Sequence, residues 1–100
     1  MRILYRSQHI RKVCTNRDYA VLYYGSAMSR KIHMRIDQIQ KIPNVDMLMQ
    51  NGIGRCHPLI GNRKNHEAMD LIHPYRLVFK KVDNCLDLEI VKIIDIVDYH

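Results

Sequence analysis

The stretch VKIIDIVDYH, residues 91–100, is the end of a longer run from Leu86 to Tyr99 whose reading decides the fold. Its even positions are apolar at Leu86, Leu88, Ile90, Ile94 and Ile96, and Val91, Ile93 and Val97 make its odd positions apolar too. A run of this kind reads as a β-strand, and apolar residues of both parities predict a central strand packed on both sides. The run closes on Asp98, Tyr99 and His100. An acid, a phenol and an imidazole are thus expected at the edge of a rigid element beside the terminal carboxylate, a placement suited to proton transfer. A strand that merely comes to its end is the other reading.

Upstream, Tyr75–Val82 alternates Tyr75, Leu77 and Phe79 against Arg76, Val78 and Lys80, which predicts a strand with one buried face, and Asp83-Asn84 predicts a hairpin turn into the last strand. Glu67–Ile72 reads as a further strand, broken from the next by His73-Pro74. Arg55–Leu59 is expected to be extended, with a turn at Gly61-Asn62. The first half of the chain has the helical period instead. After a short strand over residues 2–6, Ser7 is placed to cap a brief helix through about Val13. Thr15-Asn-Arg-Asp18 resembles a capping box opening a helix that runs to Ile42, where Pro43 stops it, with a weak point at Gly25-Ser26. Val21, Met28, Ile32, Ile36, Ile39 and Ile42 form its apolar stripe. Asn44 is placed to cap a short helix over Val45–Gln50, which Asn51-Gly-Ile-Gly54 ends. Helices followed by an antiparallel meander make an α+β pattern.

One hundred residues are enough for one domain with one core. No apolar run approaches the roughly 20 residues that cross a bilayer, and the N-terminal MRILYR has no apolar signal segment behind it, so neither a membrane span nor secretion is expected. Cys14, Cys56 and Cys85 are odd in number and widely spaced, which argues against a disulfide framework and for a reducing cytoplasm. Cys56 and His57 lack the paired ligands that would complete a zinc tetrahedron, so no metal is expected. Residues 1–50 hold nine Lys or Arg against three Asp or Glu, whereas residues 51–100 hold seven of each. Within that balanced half, residues 52–66 carry Arg55, Arg63, Lys64, His57 and His66 and no acid. A basic domain with a basic loop points to a polyanionic partner, nucleic acid or an acidic protein.

Three motifs, CHPLIGNRK (residues 56–64), DLIHPYRLVF (70–79) and VKIIDIVDYH (91–100), carry a resemblance. Together they resemble the HigB-like toxins, the plasmid maintenance killer type within the RelE/ParE superfamily of bacterial toxin–antitoxin systems, over residues 1–100. The resemblance implies an α+β, RelE/ParE-like, microbial ribonuclease-type fold, with N-terminal helices packed on a small curved antiparallel sheet. It implies a type II toxin, an mRNA interferase that enters the ribosomal A site and cuts mRNA without metal or other cofactor. The implied partner is a helix-turn-helix, HigA-like antitoxin, joined to the toxin in a heterotetramer that meets operator DNA only through the antitoxin. The implied location is the bacterial cytoplasm. Two places depart from the family pattern: Ile60 stands where many relatives have lysine, and Arg63-Lys-Asn-His66 where they often read R-K-G-Q.

Metal-free RNA cleavage proceeds by attack of the 2′-OH on the adjacent phosphate. It needs a group to take that proton, a group to serve the leaving 5′ oxygen, and cations around the phosphorane. Arg76 is the candidate cation, on a strand that holds its guanidinium rigidly, and the family motif places an active-site arginine there; a structural pairing with an acid such as Asp98 is the alternative. His100 and Tyr99 are the candidate proton-transfer groups, since histidine titrates near neutrality and tyrosine (pKa about 10) suits hydrogen-bond donation. Asp98 shares the parity of His100 and is placed to orient Arg76 or an imidazole. His57, Arg63 and Lys64 are candidates to grip phosphate or stack on a base, a solvated loop being the alternative for the last two. His73 is a substrate contact or a turn histidine. A basic module that binds RNA or an acidic protein without cutting, and a ParE-like gyrase inhibitor, are the competing functions.

Overall fold

The computed structural model describes residues 1–61, 65–82 and 89–98 of the chain. Strand β1 (Arg2–Tyr5) leads into four helices: α1 (Gln8–Thr15), α2 (Arg17–Tyr24), α3 (Ser26–Lys41) and α4 (Val45–Gln50). A 3-10 turn (Ile53–Arg55) then precedes β2 (His57–Pro58), β3 (Glu67–Asp70), β4 (Tyr75–Val82) and β5 (Ile90–Asp98). The sheet order is β1-β5-β4-β3-β2. The meander from β2 to β5 is antiparallel as expected, while β1 joins the far side of β5 in parallel. A parallel neighbour requires a crossover, and the four helices provide it, covering one face of the sheet.

The helices form where polar side chains take up their first free N–H groups. Ser7 Oγ accepts from the Ile10 N–H at 3.1 Å, and Asn44 Oδ1 from Met47 at 2.9 Å. At the start of α2 the amide of Asn16 caps, accepting from Tyr19 at 3.0 Å, because the Thr15 hydroxyl donates back to the Arg11 carbonyl. The expected single helix from this cap to Ile42 is two. Gly25, with φ +86° and ψ 165°, takes a conformation that side-chain-bearing residues rarely adopt, and the chain turns there rather than bending. The amino nitrogen of Met1 donates to the carbonyls of Ile39, Gln40 and Ile42, tying β1 to the end of α3, where carbonyls lack helical partners.

The core lies between the helices and one sheet face. Met28, Ile32, Ile36 and Ile39 of the α3 stripe meet Met69, Leu77, Phe79, Val91, Ile93 and Ile96. The registers across β4 and β5 step from Val78↔Asp95 to Phe79↔Ile93, leaving Ile94 as an extra residue. This β-bulge shifts the parity of β5, so that Ile93 and Ile96 both face the core opposite Phe79 and Leu77. The two apolar faces expected of the last strand therefore have a different cause. The core-facing set changes parity at the bulge, and Ile90, Ile94 and Val97 are only half-buried. The freed Ile94 carbonyl accepts from Arg6 Nε at 2.7 Å.

Candidate functional site

The sheet face turned away from the helices is built by the cross-strand registers. One row reads His57, Ala68, Val78 and Asp95, and the next reads Asp70, Arg76 and Val97. Ala68 and Val78 are fully buried yet stand outside the helical core, and they form the apolar floor of this face. Arg76 sits beside that floor on β4, as expected, with a side chain 29% exposed.

The acid that holds Arg76 is Asp70 and not Asp98. Strands β3 and β4 join through a tight turn in which the Leu71 N–H bonds the Tyr75 carbonyl and the Tyr75 N–H bonds the Ile72 carbonyl; the His73–Pro74 peptide is cis. This pairs Asp70 with Arg76 across the hairpin, with Arg76 Nε 3.6 Å from Asp70 Oδ1. Asp98 stands opposite Tyr75, one position out of phase with Arg76, so the register sends its exposed side chain to the other face. Asp70 also holds two arginines the sequence reading did not connect to it. Its Oδ2 forms an ion pair with Arg55 Nε, and its backbone carbonyl accepts from Arg35 Nε at 2.7 Å. Arg55, expected to be extended, lies instead in the 3-10 turn with φ +51°. Asp70 raises its pKa, first through their hydrogen bond and then through charge. Arg35 is half-buried, its Nη1 donates to Gln38 at 3.0 Å, and burial lowers its pKa, so it is an internal strut and not a solvated cation.

His57 occupies the same face, two strands from Arg76. Its Nδ1 lies 2.7 Å from the Arg55 carbonyl. A carbonyl only accepts, so Nδ1 carries the proton and Nε2 of the neutral ring presents a lone pair. His73 lies on the exposed turn and joins Arg55, Asp70, Pro74, Tyr75 and Arg76 around a cavity of about 70 Å³. Arg63, Lys64, Tyr99 and His100 lie outside the described residues, as do the expected hairpin turn at Asp83-Asn84 and the start of the last strand at Leu86. Among the described residues no three His, Cys, Asp or Glu side chains stand together to hold a metal ion, and no helix is long and apolar enough to cross a membrane. Burial pushes the thiols of Cys14 and Cys56 up to about 12, which keeps both protonated and unreactive.

A signal for Asp70 was present in the sequence. In a hairpin centred on His73, residues 70 and 76 are equidistant from the turn and fall opposite one another. Arg55 gave no such signal, since its approach to Asp70 depends on a turn that the local sequence does not announce.

The fold has a solved counterpart. A YoeB/ParE toxin from Agrobacterium tumefaciens matches with a TM-score of 0.68 at 14% sequence identity, over 100% of both chains. No family model and no curated protein matches the chain. The full-length agreement gives this chain the fold of that toxin.

Proposed function

We propose that the chain is the toxin of a type II toxin–antitoxin system, a HigB-like, ribosome-dependent and metal-independent mRNA endoribonuclease. The observation that carries the reading is Arg76, paired with Asp70 at 3.6 Å on the sheet face turned away from the helices and bordering a cavity, on the fold of a protein described as a toxin. The three motifs quoted above support the HigB-like assignment.

In this mechanism the 2′-OH attacks the adjacent phosphate and the O5′ bond breaks, leaving a cyclic phosphate. Arg76 meets the phosphorane charge with its planar fork. His57, with Nδ1–H committed to a backbone carbonyl, offers Nε2 to a substrate proton or a base edge. His100 and Tyr99 are assigned proton transfer, Asp98 the orientation of an imidazole, and Arg63, Lys64 and His73 substrate contacts. The partner is a helix-turn-helix, HigA-like antitoxin in a heterotetramer, and the setting is the bacterial cytoplasm and the ribosomal A site. The helical layer offers a surface for the antitoxin: Leu22 is 79% exposed, and Tyr23, Arg11 and Arg30 are also exposed.

The deciding experiment compares cleavage of ribosome-bound mRNA with cleavage of free RNA, both in a chelator. Cleavage on the ribosome alone, abolished by the adjacent-gene antitoxin and reduced by deleting His100, is the expected result. RNA binding without cleavage would replace this reading with the non-catalytic module. Inhibition of DNA gyrase without RNA cleavage would replace it with the gyrase inhibitor.

A further inference from the structure

Asp70 engages three arginines through the same atom of each. Arg35 Nε reaches its carbonyl, while Arg55 Nε and Arg76 Nε reach the two oxygens of its carboxylate. The Arg55 guanidinium, held by Nε, keeps its two terminal amino groups, four of its five N–H donors, for other work. The side chain of Arg55 is 72% exposed, so those groups face solvent beside the cavity that Arg76 also lines.

The backbone is bent to achieve this. Arg55 has φ +51°, unusual for a residue with a side chain, and follows Gly54 at φ +58°. A Cβ on Gly54 would come within 2.9 Å of Arg35 Nε and 3.1 Å of Met69 Cε, so the turn is pressed against the strut that grips Asp70. A solvated surface arginine needs no such turn. The cavity of about 70 Å³ exceeds the roughly 10–15 Å³ that admits one water, so it has room for the oxygens of a phosphate.

We infer that Arg55 is a second phosphate-binding residue. Asp70 positions it together with Arg76, and the two guanidiniums grip the phosphate backbone of single-stranded RNA at this cavity. The inference rests on the endoribonuclease reading above. Asp70 itself repels phosphate, so its contribution is orientation: it anchors the Nε edge of Arg55 and leaves that residue's terminal amino groups for bidentate contact with phosphate oxygens.

The test uses the full chain, a single-stranded oligoribonucleotide for binding at several salt concentrations, and ribosome-bound mRNA for cleavage. Arg55→Gln is expected to reduce the slope of log affinity against log salt by about 0.7, the value for one phosphate contact on a single strand, and to raise KM. Asp70→Asn is expected to keep the slope and bind RNA at least as well, but to lose kcat because Arg76 is no longer held. If Arg55→Gln does not fold by thermal denaturation, Arg55→Lys carries the test, with a retained slope and a raised KM expected. Unchanged slope and KM in Arg55→Gln, unchanged KM in Arg55→Lys, or unchanged kcat in Asp70→Asn would overturn the inference. If any of these occurs while Arg76→Ala abolishes cleavage, the endoribonuclease reading survives alone. A wild-type protein that neither binds nor cleaves RNA removes both.

Discussion

Replacing Arg76 separates a catalytic arginine from a structural one, because the two roles predict different magnitudes. Arg76 and Asp70 lie 3.6 Å apart with side chains 29% and 27% exposed, between the surface and buried regimes. Exposed pairs contribute about 0–1 kcal/mol, whereas removing one partner of a buried pair costs about 3–5 kcal/mol because the other charge is left alone. Asp70 keeps Arg55 when Arg76 is removed, so its carboxylate is not orphaned. Arg76→Ala is therefore expected to cost about 1 kcal/mol, roughly 4–8 °C in Tm for a domain of this size. Its effect on cleavage is expected to be larger, on the order of 10²–10³ in kcat, or about 2.7–4 kcal/mol of lost phosphorane stabilisation. Arg76→Lys keeps the charge without the planar fork and should bind RNA while cleaving poorly. The assay is single-turnover cleavage of ribosome-bound mRNA alongside thermal denaturation. Undiminished cleavage by Arg76→Ala refutes the catalytic role. Cleavage lost together with a stability loss of about 3–5 kcal/mol refutes it too, since that is the penalty for breaking a buried pair.

Three further expectations follow from particular contacts. Glu67 is 8% exposed, its Oε2 has no hydrogen-bond partner among the described residues, and burial raises its pKa against the opposing pull of Lys81 and His66. A carboxyl with a raised folded pKa binds protons more tightly in the native state. Its contribution thus favours folding below the ordinary glutamate range and is lost as pH rises through the raised value. Urea denaturation of Glu67→Gln should show a stability advantage over wild type that grows through this window, and parallel profiles would contradict it. Gly54→Ala should destabilise by about 2 kcal/mol or more, from the left-handed conformation and the contact with Arg35, and an unchanged Tm would count against the tight turn. With Cys85 replaced by serine, a thiol reagent at about pH 8 should modify native Cys14 and Cys56 roughly 10³-fold more slowly than in denaturant, given thiols raised to about 12; equal rates would show that neither is buried.

Much of the architecture was legible because it rests on local rules. Ser7 and Asn44 cap helices, Pro43 follows the end of α3, and alternation at Leu77 and Phe79 marks the buried face of β4; each depends on neighbours a few residues away. The motif arginine Arg76 could be placed on a strand by the same means. Tertiary structure decided what depends on distant partners. The parallel pairing of β1 with β5 joins residues almost ninety positions apart, for which no local pattern exists. The bulge at Ile94 altered which residues of β5 face the core, and a strand of uniformly apolar residues conceals such a shift because either parity can be buried. Asp98 is the acid that the strand pattern offers as an alternative partner for Arg76, whereas the hairpin register places Asp70 beside it. Arg55 reaches Asp70 only because Gly54 lets the chain turn against Arg35, an arrangement set by three-dimensional packing. Sequence by itself determined the elements and their chemistry, since propensity, capping and alternation are local. Only the folded chain determined which charges meet, because an ion pair is selected by distance in space.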